Sequence, residues 1–139
     1  MRIMAIDYGD ARTGVAISDA MGLLAGFTTV IHSRKSDVVQ EELVKLIEQH
    51  KVEELVMGFP RNMDGTEGPR ADLYREFAVS LEEKSGMTVH LWDERRTTIE
   101  AHQILHTGGK KMKQHKNTVD AVAASLILEG YLTRKRRGV

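Results

Sequence analysis

Four acids sit where regular structure gives way to a turn or begins a helix: Asp7, Asp93, Glu94 and Asp120. In "MAIDYGDARTGVAISD" the apolar residues 3–6 run into Asp7, Gly9 and Gly14 bracket a polar turn, and residues 15–17 resume a strand pattern that closes on Asp19. A carboxylate at the end of a buried strand is costly unless something partners it. "VHLWDER" ends a later apolar run in the Asp93–Glu94 pair, and "KNTVDAVAAS" sets Asp120 at the start of an apolar helix. If these points converge on one end of a sheet, the carboxylates repel each other unless cations lie between them. Hard oxygen donors favour Mg²⁺ or Mn²⁺. Two such ions ~3.5–4 Å apart activate a water and stabilise the leaving oxygen in phosphodiester cleavage.

Each acid also has a plainer reading. Asp7 can accept hydrogen bonds from the glycine turn, and Asp93 or Glu94 can pair with Arg95 or Arg96 at the surface. Asp120 stands three residues after Asn117, where an acid supports a helix cap and gains from the helix dipole. Only the three positions together favour a site. On a strand, neighbours face opposite ways, so one of Asp93 and Glu94 faces the cleft; the longer Glu94 is preferred and Asp93 is kept beside it.

The elements that must position these acids follow from periodicity. Residues 2–8 and the run resuming at 15–17 read as strands joined by the glycine turn, and "GFTTVIH" as a third, making an antiparallel meander. "DVVQEELVKLIEQH" reads as a helix with Asp37 as N-cap and Gln40 completing a capping box. "ELVMGFP" is a short strand. "GPRADLYREFAVSLEEKSG" is a helix opened by Pro69, with Leu73, Phe77 and Leu81 inward and Gly86 closing it. "MTVHLWDER" is a fifth strand whose Val89 and Leu91 face the core. Thr97 with Glu100 caps a helix to about His106, and "NTVDAVAASLILEGYL" is a last helix, apolar on nearly every side. The order β-β-β-α-β-α-β-α-α implies an α/β fold with a mixed five-stranded sheet and helices on both faces.

Bulk properties narrow the setting. The 139 residues suit one domain, and without cysteine there is neither disulfide nor thiolate metal site, as in a reducing compartment. No apolar run reaches ~20 residues and no signal-peptide plan opens the chain, so a cytoplasmic location is expected. Twenty basic and twenty acidic residues cancel, but from Lys110 onward eight Lys or Arg face two acids. The segment of residues 106–117 reads as a mobile loop whose Lys110, Lys111, Lys113 and Lys116 bring phosphate-binding charge beside Asp120. In "GFPRNMDGTEGPR", Gly58, Gly65 and Gly68 leave backbone N–H groups that, with Arg61, Asn62 and Arg70, suit a phosphate cradle; a plain turn before a Pro-started helix is the alternative. His102 and His106 lack a third soft ligand and read as ordinary helix residues.

The four stretches "MRIMAIDYGDARTGVAISD", "LVMGFPRNMDGTEGPRA", "VHLWDERRTT" and "KNTVDAVAASLILEGYL" together resemble the YqgF family, ribonuclease H-like proteins named as pre-16S rRNA nucleases and related to Holliday-junction resolvases. The resemblance covers residues 1–132 and implies a ribonuclease H-like fold, with Asp7, Asp93 or Glu94, and Asp120 as metal-binding acids. It also implies a nuclease acting on structured precursor rRNA. Branched DNA cut by a dimeric resolvase, a non-catalytic RNA-binding factor and a nucleotide-binding module stay open. Monomer and homodimer are likewise both open.

Overall fold

The computed structural model describes residues 1–22, 25–60, 68–93 and 112–136, giving only the backbone for 112–119 and 136. Five strands form one sheet: β1 (Ile3–Asp7), β2 (Arg12–Ser18), β3 (Ala25–His32), β4 (Glu54–Phe59) and β5 (Val89–Asp93), in spatial order β3-β2-β1-β4-β5. The meander pairs β1–β2 and β2–β3 antiparallel, while β1–β4 and β4–β5 are parallel, as expected for strands that alternate with helices. The helices are α1 (Ser36–His50), α2 (Ala71–Ser85) and α3 (Met112–Arg136). The helix expected from Thr97 lies outside the described residues.

Alternation along the strands divides the core in two. Met4, Ile6, Val15, Ile17, Leu55 and Met57 pack against Val39, Leu43 and Ile47 of α1 and Tyr74, Phe77 and Leu81 of α2. Ile3, Ala5, Ala16 and Val56 face Ala124, Ile127, Leu128 and Leu132 of α3 on the other side. Near the mouth the contact is made by small residues, Ala5 and Ala16 of the sheet and Ala124 of α3, and these let the helix backbone approach the sheet closely. At Gly14 a Cβ would lie 2.7 Å from the Asp120 carbonyl carbon and nearer still to its oxygen. A glycine inside a strand here marks the close approach of another backbone.

Several local expectations are corrected. No side chain caps α1, whose first residue is Ser36 and whose N-cap is Lys35, so Asp37 falls within the first turn. Gln40 is buried: its Nε2 donates to Ser36 Oγ at 2.9 Å and its Oε1 accepts from Ser80 Oγ of α2 at 2.8 Å. Tying the two helices is the better use of a buried amide, at about 0.5–1.5 kcal/mol per bond. The α2 helix starts at Ala71, after Pro69, and buries Tyr74, Phe77, Ala78 and Leu81; Leu73 is exposed. Leu91 is also exposed, although Val89 is buried as expected. Gly86 does close α2, with φ 72°.

The largest correction concerns α3, which begins at Met112 and not at Asn117. Asp120 therefore lies in the third turn, without a capping or dipole role. Residues 112–117 of the expected loop are helical. Asp120 and the fully buried Ala124 share the stripe facing the sheet.

The far end of α3 is tied to the start of β4: Tyr131 Oη and Lys135 Nζ both donate to Glu54, the lysine at 3.0 Å. Burial pushes the Glu54 carboxyl up, but these hydrogen bonds, with the charges of Lys135 and His90, outweigh it and hold the group below its ordinary 4.5. Burial and the adjacent carboxylate push Tyr131 up. Because the folded value of Glu54 is depressed, its contribution is present in full above 4.5 and is lost as pH falls from there through the lowered value. The Tm difference between wild type and Glu54→Gln is thus expected to be widest near neutrality and to shrink below pH 4.5 in thermal unfolding scans. A difference constant from pH 7 to pH 3 would contradict this role.

Candidate functional site at the sheet mouth

Ile3 and Ala5 point to α3, so Asp7, two residues further along β1, faces the same way at the strand's C-terminal end. It pairs with Gly14 of β2, and continuing the β1–β4 register by one residue sets it beside Gly58, itself paired with Trp92. Glycines on both neighbouring strands put no side chain beside the half-buried carboxylate. Since α3 rests its Asp120 backbone on Gly14, Asp7 and Asp120 occupy one side of the sheet at one level.

Asp120 is held. Arg12 Nε–H donates to its Oδ2 at 2.8 Å, with the Arg12 side chain 36% exposed and that of Asp120 18%. Arg12 opens β2 on the same face as Gly14, just beyond Asp7 toward the open end. Sequence reasoning passed it over. The available signal was Gly14, an interior strand glycine two residues away.

The Asp93–Glu94 pair is separated by the register. Asp93 lies beside Phe59, which belongs to the core under α1 and α2, while His90 and Trp92 contact Tyr131 of α3. Asp93 thus falls on the face away from Asp7. Glu94 itself, like Arg61, Asn62, Lys110 and Lys111, lies outside the described residues. Among the described residues no three His, Asp or Glu form a metal-binding group. Asp7 and Asp120, set on one face by the register and the Gly14 contact, carry oxygen donors of the kind a hard cation takes.

Arg70 is engaged elsewhere: its guanidinium pairs with Asp10 at 2.8 Å and lies 5.6 Å from the Tyr74 ring centroid. Tyr74 Oη donates to the Tyr8 carbonyl, and the Tyr8 ring stacks on Phe77 with centroids 3.9 Å apart. The first turns of α2 therefore grip the turn that follows Asp7. Lys113 and Lys116 are in the opening turns of α3. From Glu54 at one end of the sheet to Gly14 at the other, α3 runs toward the mouth, and its eight residues before Asp120 carry it about 12 Å further.

Comparison with known proteins agrees with this architecture. A protein of Carboxydothermus hydrogenoformans named "Putative pre-16S rRNA nuclease" is 45% identical over 139 residues, covering 99% of both chains. Thermus thermophilus RuvC superposes with TM-score 0.62 at 12% identity, covering 99% of this chain and 97% of that one. Fowlpox virus resolvase, solved with its substrate Holliday junction DNA, gives 0.59 at 12% identity, covering 97% and 99%. At such identities the two structures establish the shared ribonuclease H-like fold alone. The sequence profile of the RuvX family, described as Holliday junction resolvase, matches residues 1–134, and the chain belongs to that family.

Proposed function

We propose that this protein is a cytoplasmic, single-domain, metal-dependent nuclease that trims the 5′ end of precursor 16S rRNA. The observation that carries the reading is the meeting of Asp7 and Asp120 on one side of the sheet mouth. Asp7, Asp120 and Glu94, with Asp93 the less favoured alternative, would hold Mg²⁺ or Mn²⁺. The bound cations supply a nucleophile at neutral pH and neutralise charge that develops on the leaving oxygen. The chain's own residues do the positioning: Arg12 fixes the Asp120 carboxylate, and α2 fixes the turn behind Asp7. Arg61, Asn62, Lys110, Lys111, Lys113 and Lys116 would hold the polyanion through its phosphates. Arg70, 49% exposed beside Asp10, would add to them from the start of α2.

Cleavage of precursor 16S rRNA, mature 16S rRNA and a four-way DNA junction, compared at equal Mg²⁺, tests the substrate. Faster cutting of the precursor, at its 5′ end, is the expected outcome. Preferential cutting of the junction by a protein of dimeric molar mass would favour the resolvase reading that the family description carries.

The lysines of the α3 overhang give a second expectation. Lys113→Ala with Lys116→Ala should flatten the dependence of log affinity on log salt by about one to two units, at roughly 0.7–0.9 per lost phosphate contact. An identical slope by fluorescence anisotropy would place these turns away from the nucleic acid.

A further inference from the structure

Arg12 has more hydrogen-bonding capacity than its ion pair uses. Its Nε donates to Asp120 Oδ2 at 2.8 Å, and among the described residues neither terminal nitrogen makes a hydrogen bond. A guanidinium carries five N–H donors in a rigid plane, four of them on those two nitrogens, so one edge is committed to the carboxylate while donors remain. The side chain is 36% exposed, and among the described residues no protein acceptor takes up the remaining donors. Arg12 also stands next to Asp7's partner strand position, at the open end of the sheet and on the α3 face.

A cation tied to one acid only, at a mouth where Asp7 and Asp120 converge, lowers the negative charge a polyanion would meet there. Arg binds phosphate through paired N–H donors, and Lys cannot reproduce that fork. A buried structural pair would have used the whole fork or hidden it.

We propose that Arg12 is a substrate-contacting residue of this site: while Nε holds Asp120, the terminal nitrogens bind non-bridging oxygens of the nucleic-acid phosphate presented to the two acids. The assignment rests on the nuclease reading for its substrate class. A single side chain then registers the phosphate against Asp120, and a backbone shift of about 1 Å at such a point costs around 100-fold in rate.

The test removes the ion pair first. In an Asp120→Asn background Arg12 keeps at most a neutral hydrogen bond, so loss of the ion pair cannot account for what Arg12→Ala changes. Binding of a fluorescein-labelled precursor 16S rRNA hairpin is measured in EDTA, where cleavage does not interfere, for Asp120→Asn with and without Arg12→Ala. The expected result is a slope of log affinity against log salt flatter by roughly 0.7–0.9, equivalent to about a threefold change in salt sensitivity between 50 and 200 mM. An unchanged slope overturns the assignment. Should the Ala double mutant fail to fold, Arg12→Gln in the same background gives the same reading. Failure of the nuclease reading is separate: it shows as absence of Mg²⁺-dependent cleavage by wild type, whatever the slope does.

Discussion

Replacing Asp7 by Asn should lower Mg²⁺-dependent cleavage at least ~100-fold while leaving the fold intact. The substitution keeps the side chain's shape and removes only its charge. Asp7 ends the central strand beside Gly14 and faces the helix that brings Asp120. Asn is isosteric with Asp, so Tm should change little beside the loss of cleavage. Initial rates at saturating Mg²⁺, alongside thermal unfolding, separate the two effects. A mutant that is destabilised yet cuts normally would make Asp7 a turn residue and nothing more.

Gly14→Ala should be the most damaging small substitution in the sheet. The added methyl meets the Asp120 backbone, 2.7 Å from its carbonyl carbon, and backbone cannot step aside as a flexible side chain can. The α3 helix must lift from β2, at a cost of about 1–3 kcal/mol or more, or roughly 3–10 °C in Tm. Lifting α3 also carries Asp120 away from Asp7, so cleavage should fall further than lost stability explains. Gly26→Ala is the control: its Cβ would make ordinary contacts of 3.4 Å with Asp19, and it should stay within about 0.5 kcal/mol of wild type. Equal Tm and activity for Gly14→Ala and wild type would mean that α3 does not bear on β2 at this point.

The succession of strands and helices and the two helical layers were readable because burial on a sheet imposes period two and burial on a helix imposes 3.6, and glycine turns punctuate the first three strands. Helix beginnings were less readable. Lys113, Gln114, His115 and Lys116 look like a charged loop after Gly108 and Gly109, yet none of them breaks a helix, and α3 runs through them. Asp37 and Gln40 match a capping box by spacing, but the tertiary demand for a polar link between α1 and α2 took Gln40 for Ser80. Asp7 was legible as an acid at a strand end, whereas Asp120 was singled out for a helix start that in fact lies eight residues earlier. Arg12 was not, because its partner lies 108 residues away and only the closeness of α3 to Gly14 brings them together. Asp93 was separable from Glu94 only through register, which depends on which helices cover which face.

The most direct measurement is metal add-back on the purified wild-type chain with a precursor 16S rRNA substrate, run beside Asp120→Asn. After EDTA treatment the wild type should be inert, and Mg²⁺ or Mn²⁺ should restore cleavage; Asp120→Asn should stay inert while still folding, with only the modest loss of stability that its broken ion pair to Arg12 brings. Wild-type cleavage that persists in EDTA, or an Asp120→Asn protein that is less stable yet cuts at the wild-type rate, would contradict a metal site built on Asp7 and Asp120.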